Sequence, residues 1–206
     1  LNTPHNPTGK VFTRDELELV AALARQHDAW VVTDEVYEHL VFDDAEHVPV
    51  ATLPGMFDRT ITISSAGKTF SATGWKVGWL SGPAEAVAAA RTVKQFLTYV
   101  ASGPFQPAVA LALGLGDTVY AGLRDSLQAK RDLLARELAD SRFELLPSEG
   151  SFFMLARFRH FSDESDNDFV LRLIRDARVA TIPLSAFYTD GTDSAGASPA
   201  TAFAAT

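Results

Sequence analysis

Lys68 lies in the run Ser64-Ser65-Ala66-Gly67-Lys68-Thr69-Phe70-Ser71-Ala72-Thr73-Gly74-Trp75-Lys76, a lysine among small and hydroxyl residues soon after the apolar segment Ile61-Thr62-Ile63. That segment reads as a short strand ending in a tight turn, so Lys68 is predicted at the carboxyl end of a sheet, where α/β folds assemble their sites. An amine presented there can attack a carbonyl and form an imine. Two other segments carry residues of related use. Asn2-Thr3-Pro4-His5-Asn6-Pro7-Thr8-Gly9 interleaves amides with prolines and closes on glycine, which predicts a rigid, non-helical loop that aims the Asn6 amide at a fixed point. Ala29-Trp30-Val31-Val32-Thr33 has the character of a buried parallel strand and leads directly into Asp34, with Tyr37 just beyond. Each has a plainer reading by itself: a solvated lysine, an ordinary turn, and an aspartate that caps a following helix.

In their order and spacing the three segments together resemble the signature of the class I aminotransferases, fold-type I enzymes that use pyridoxal 5′-phosphate (PLP). The resemblance runs from Asn2 to about Pro183. It implies an α/β fold with a mostly parallel sheet in a large, PLP-binding domain, represented in part by residues 1–128, and a smaller C-terminal α/β domain over 129–206. It also implies that Lys68 holds PLP as an internal aldimine and then serves as general base. Asp34 would pair with the pyridine nitrogen, Asn6 and Tyr37 would hydrogen-bond the phenolic oxygen, and Ser65 and Lys76 would bind the phosphate. Many relatives carry arginine where this chain has Lys76; a lysine keeps the charge and loses the bidentate fork. The chemistry needs these types, because PLP is an electron sink only while its ring nitrogen stays protonated, and a carboxylate beside that nitrogen holds the proton there.

Within that group, the run from Gly67 to Lys76 and the segment Thr98 to Ala110 look most like enzymes acting on N-succinyl-diaminopimelate, with kynurenine- and methionine-type aminotransferases close behind. The partners implied are a small-molecule amino donor and a 2-oxo acid. Two other functions stay open: a PLP-dependent C–S lyase on the same fold, and a catalytically silent fragment. The fragment reading arises because such enzymes have a preceding half with a Gly-rich phosphate loop and an aromatic residue that stacks on the cofactor. The complete enzyme is expected to be a homodimer with shared sites, and this chain to expose apolar surface. The tail departs from the pattern. Relatives place an arginine after the Ile182-Pro183 segment to clamp the substrate carboxylate, whereas no arginine follows Arg178 here and the chain ends Ser198-Pro199-Ala200-Thr201-Ala202-Phe203-Ala204-Ala205-Thr206.

The elements that must position these residues are legible coarsely. Thr13 with Glu16 forms a capping-box pattern for a helix to about His27, with Leu17, Leu19, Val20 and Leu23 as its apolar face. Val77 to Leu80 reads as a strand. Pro83–Val100 and Pro104–Leu115 read as helices whose alanines reflect close packing, and Asp117–Asp140 as a long helix bridging two domains. Phe143–Pro147 and Ser151–Leu155 are predicted strands joined by a Gly150 turn, followed by a helix over Asn167–Ala177 and a loop over Asp190–Ala197. Phe152 belongs to an aromatic stripe read as core, with a lesser reading in which it approaches the substrate.

Composition limits the function classes. A net charge of −8 over 206 residues, with no basic patch, argues against nucleic acid or an anionic membrane as partner, and 47% hydrophobic residues argue for a globular chain. Without cysteine there is neither a disulfide framework nor a Cys-ligated metal. His5, His27, His39, His47 and His160 lack metal-ligand spacing and are expected in loops or at the surface. No run is long and apolar enough to span a membrane, and a cytoplasmic location is expected.

Overall fold

Thr13 starts the first helix as its spacing predicts: its hydroxyl accepts from the Glu16 amide at 3.3 Å, and the Glu16 carboxylate accepts from the Thr13 amide at 2.8 Å. The resulting α1 (Arg14–Gln26) buries Leu17, Ala21 and Ala24 against Val31, Val48, Val50, Leu53 and Met56. Leu19 and Leu23, expected on the same face, are exposed. Helical geometry explains the difference, since Leu19 lies roughly 200° round the axis from Leu17 while Ala21 and Ala24 return to its side. The computed structural model describes residues 1–188 and the backbone of a strand at Ala200–Ala204. The expected loop over 190–197 lies outside the described residues.

Strand β1 (Val31–Asp34) pairs in parallel with β2 (Thr60–Ser65), and β2 pairs antiparallel with β3 (Gly78–Ser81). Asn2 extends the sheet by a parallel bridge to Asp34. Burial alternates along β1, so the expectation of a strand enclosed on both sides is corrected. Val31 and Thr33 face the α1 side, while Val32 and Asp34 face outward, in register with Ile61 and the exposed Ile63. Helix α2 (Ala66–Thr69) follows β2 at once.

Three helices connect this sheet to a second one. In α3 (Ala84–Leu97) no residue is buried, and Phe96 and Leu97 are 83% and 76% exposed. Close packing therefore does not account for its alanines: Ala86 and Ala90 are partly covered, while Ala84, Ala88 and Ala89 are exposed. After α4 (Phe105–Ala112), helix α5 (Thr118–Leu138) buries Leu127 against Tyr37, Leu40 and Phe42. Arg131 on α5 donates to Asp43 at 2.7 Å and to the Ser148 carbonyl at 2.9 Å, so this helix joins early and late segments of the chain.

The second sheet runs β4 (Glu144–Leu145), β5 (Phe153–Arg157), β7 (Ala200–Ala204), β6 (Ile182–Pro183), antiparallel throughout. The strand expected at 151–155 begins two residues later, because Ser151 takes a left-handed φ of 65° and Gly150 bridges Val41 instead. Helix α6 (Asp166–Arg172) continues as a wider π turn over Leu173–Ala177. Its buried Asp166 accepts from the Ser185 amide at 2.7 Å and the Ser185 hydroxyl at 2.9 Å. Among the described residues no helix is long and apolar enough to cross a membrane.

Candidate functional site

The N-terminal loop is held to the end of β1 by backbone and amide bonds. Thr3 N donates to the Asp34 carbonyl at 3.1 Å, Asp34 N to the Leu1 carbonyl at 2.8 Å, and Asn2 Nδ2 to the Asp34 carbonyl at 2.9 Å. The Asn2 side chain also accepts from Asn6 N at 2.9 Å, which fixes the loop that carries Asn6. Asn6 Nδ2 then donates to the Tyr37 hydroxyl at 3.3 Å, while Asn6 Oδ1 is buried without a hydrogen-bond partner among the described residues. Burial pushes the Tyr37 phenol up to about 12, the Asp34 charge adds to the shift, and the Asn6 bond opposes it. Tyr37 therefore keeps its proton around neutral pH and remains a donor.

Asp34 does not cap a helix. Its Oδ1 accepts from Val36 N at 3.2 Å, closing a turn, and its carboxylate stands on the outward face of the sheet. The neighbouring Glu35 faces the opposite way. It is fully buried and accepts from the Thr33 hydroxyl at 2.8 Å and Val50 N at 3.4 Å, and it pairs with His47 Nε2 at 2.9 Å. His47 lies in a loop as expected, but its side chain is buried rather than at the surface. The signal for this pair was faint: an Asp-Glu doublet after a strand gives two carboxylates on alternate faces, and only one can meet solvent.

Lys68 sits in the short α2. Its Nζ lies 4.3 Å from the centre of the Phe152 ring and 5.7 Å from that of Tyr37, and the two rings meet edge to face at 5.3 Å. Burial, with a contribution from the charge of Lys76, lowers the Lys68 pKa from its ordinary value. Ser65 ends β2 opposite Gly78, and Lys76 precedes β3 with a left-handed φ of 54°. The structure thus brings Asn6, Tyr37 and Lys68 to one place, with Asp34 and Lys76 near enough to act through their charges. Lys68 also borders a cleft between Ser71 and Thr73 on one side and Leu123 and Lys130 of α5 on the other. Asn6, Asp34, Ser65 and Lys76 do not line that cleft.

Phe152 is the residue sequence reasoning undervalued. A late loop delivers it: the amides of Glu149 and Gly150 both donate to the Gly9 carbonyl at 2.9 Å, and Ser151 N donates to the Leu40 carbonyl at 2.9 Å. Gly150 is required there, since an added Cβ would stand 2.8 Å from the Leu40 carbonyl oxygen and 3.0 Å from Pro4 and Val11. Gly150→Ala is expected to cost about 1–3 kcal/mol through overpacking, read as a lower midpoint in urea unfolding. An unchanged midpoint would show that the loop yields freely.

The donor set fits a phosphorylated heteroaromatic aldehyde. There is an amine with a depressed pKa, an amide and a neutral phenol in contact, an outward carboxylate, and a second cation near the first. The unsatisfied Asn6 Oδ1 marks a polar edge with unused capacity.

Residues 1–197 match the family model for "Aminotransferase class I and II". The chain is 50% identical, over 91% of its length and 47% of the relative's, to a "Probable N-succinyldiaminopimelate aminotransferase" of Mycobacterium tuberculosis. It is 41% identical to human kynurenine–oxoglutarate transaminase 1, over 91% of this chain and 49% of that one. Among solved structures, the N-succinyldiaminopimelate aminotransferase of M. tuberculosis superposes with a TM-score of 0.92 at 47% identity, covering 99% of this chain and 52% of that one. An Escherichia coli protein with a methionine aminotransferase function gives 0.91 at 36% identity, covering 99% and 52%. The chain spans about half the length of the curated relatives it matches.

Proposed function

The chain belongs to the class I and II aminotransferases, fold-type I enzymes that use pyridoxal 5′-phosphate, and from that premise we propose that it carries the lysine-bearing part of a transaminase site. The observation that carries this reading is the Lys68 amine beside the hydrogen-bonded Asn6–Tyr37 pair. In it Lys68 would hold the cofactor through Nζ, Asp34 would keep a proton on the pyridine nitrogen, Asn6 and Tyr37 would donate to the phenolic oxygen, and Ser65 and Lys76 would bind the phosphate. PLP, when bound, supplies an electrophilic carbon and an electron sink. Lys68, as the free amine, would be the group that takes a proton from the substrate α-carbon and gives it back. Its depressed pKa leaves more of the amine neutral near pH 7 than an ordinary lysine would have.

The donor we propose is N-succinyl-diaminopimelate with a 2-oxo acid as acceptor, supported by the 50% identity to the mycobacterial relative. We also propose a division between the cofactor-binding part and the C-terminal part within α5, between residues 128 and 129; the two sheets flanking that helix in sequence support it. A cytoplasmic homodimer completes the proposal.

The test mixes the purified chain with PLP, 2-oxoglutarate and, separately, N-succinyl-diaminopimelate, kynurenine, methionine or cystathionine, and follows glutamate by mass spectrometry, with ammonia and thiol in the cystathionine sample. Glutamate formed fastest with the succinylated donor is the expected result. Ammonia and a free thiol released from cystathionine, without glutamate, would establish the C–S lyase instead. Neither product from folded protein would mean that the chain is silent by itself.

A further inference from the structure

The lysine of the site rests on a surface supplied by the far end of the chain. Lys68 is borne on α2, whereas Phe152 arrives on the loop before β5, yet the Phe152 ring lies closer to Nζ than the Tyr37 ring does, at 4.3 Å against 5.7 Å. No hydrogen bond is made by Lys68 Nζ among the described residues, so the two ring faces are the polar partners the geometry provides. The rings are themselves held: Tyr37 and Phe152 meet edge to face, Phe152 and Phe153 are tilted at 4.7 Å, and Tyr37 is bonded to Asn6. Loop 149–152 is fastened to Gly9 and Leu40 by three backbone bonds. A ring placed so firmly beside an amine interacts with the charged form and hardly with the neutral one, because the π face attracts a cation.

We propose that Phe152 is a positioning residue for Lys68, the surface on which the free amine is held and by which its charged form is favoured. The charged and titratable groups around Lys68 are Lys76 before β3, Lys130 on α5 across the cleft, and Tyr37, whose own proton stays on around neutral pH. Asp34 acts on Tyr37 from beyond. None of these is a carboxylate in contact with Nζ, so the ring is the nearest group that stabilises the ammonium. The C-terminal segment thereby sets how much of the amine is neutral when it is not engaged with the cofactor. This inference rests on the assignment of Lys68 as the cofactor lysine.

The experiment uses the full chain without cofactor, so that its outcome is independent of whether PLP binds. Trace acetylation with acetic anhydride over a range of pH, quantified by peptide mass spectrometry, gives the midpoint at which Lys68 loses its proton, with Lys10 and Lys94 as internal controls. In Phe152→Leu, which keeps apolar bulk and removes the π face, the midpoint is expected to fall by about half to one pH unit, a roughly three- to tenfold larger neutral fraction below it. Phe152→Met, a second ring-free residue of similar volume, should do the same, and Phe152→Tyr should keep the original midpoint. A midpoint unmoved in both ring-free variants, or moved as far by tyrosine, would overturn the proposal. A shift shared by Lys10 and Lys94 would also overturn it, because it would show a general loss of structure.

Discussion

On the proposed function, replacing Lys68 with alanine is expected to lower glutamate formation by about four orders of magnitude or more, since in that proposal one residue is both the covalent attachment point and the group that moves the α-proton. Proton transfer by a positioned side chain accounts for about 10²- to 10⁴-fold by itself. Folding should be little affected, because Lys68 is half-buried and makes ring contacts rather than ion pairs. Lys68→Arg is expected to fail equally, as a guanidinium neither forms the attachment nor gives up a proton at working pH. The measurement is product formed per chain under single-turnover conditions, with a thermal melt as the control for folding. Activity within tenfold of the original would place the chemistry on another residue.

The second large effect is on stability and falls on Glu35→Ala. Glu35 is enclosed behind the Asp34 turn, and its removal takes their acceptor from the Val50 amide and the His47 ring and leaves the Thr33 hydroxyl only the longer bond to Thr62, at 3.4 Å. Losing one partner of such a buried set costs about 3–5 kcal/mol, comparable to the lower end of a whole domain's stability of about 5–15 kcal/mol. The midpoint of urea unfolding should fall sharply, and Glu35→Gln, which retains one acceptor oxygen, should fall less. Because Asp34 and Tyr37 flank Glu35, loosening this turn should also weaken cofactor retention. An unchanged unfolding midpoint in Glu35→Ala would show that the pair contributes nothing net.

Local patterns were readable where one short-range rule determined the outcome. The Thr13–Glu16 capping box fixed the start of α1 to the residue, and the run Ile61-Thr62-Ile63 before a Ser/Gly turn placed Lys68 just after a strand. Proline-rich spacing around Asn6 correctly implied a fixed loop, but its partner Tyr37 is 31 residues away, beyond what spacing can reveal. Leu19 and Leu23 are as apolar as Leu17, yet the packed stripe follows Ala21 and Ala24, because these return to the Leu17 side of the helix while Leu19 and Leu23 point away from it. Elsewhere tertiary contacts decide. Phe152 reads as core, and it does pack against two apolar clusters; its further place beside Lys68 depends on bonds between Gly9, Leu40 and a loop far along the chain. His47 lies in a loop as expected, while the burial of its side chain is set by Glu35 twelve residues earlier.

The claim on which the rest depends is that Lys68 takes up PLP. Incubating the chain with PLP, reducing with borohydride and mapping the peptides by mass spectrometry tests it directly, since reduction fixes any lysine-bound cofactor as a stable amine. The account predicts a phosphopyridoxyl group on the peptide containing Lys68, at close to one per chain, with Lys10, Lys76, Lys94 and Lys130 unlabelled and no label in Lys68→Ala. Label spread over these other lysines, or absent from folded protein, would contradict it.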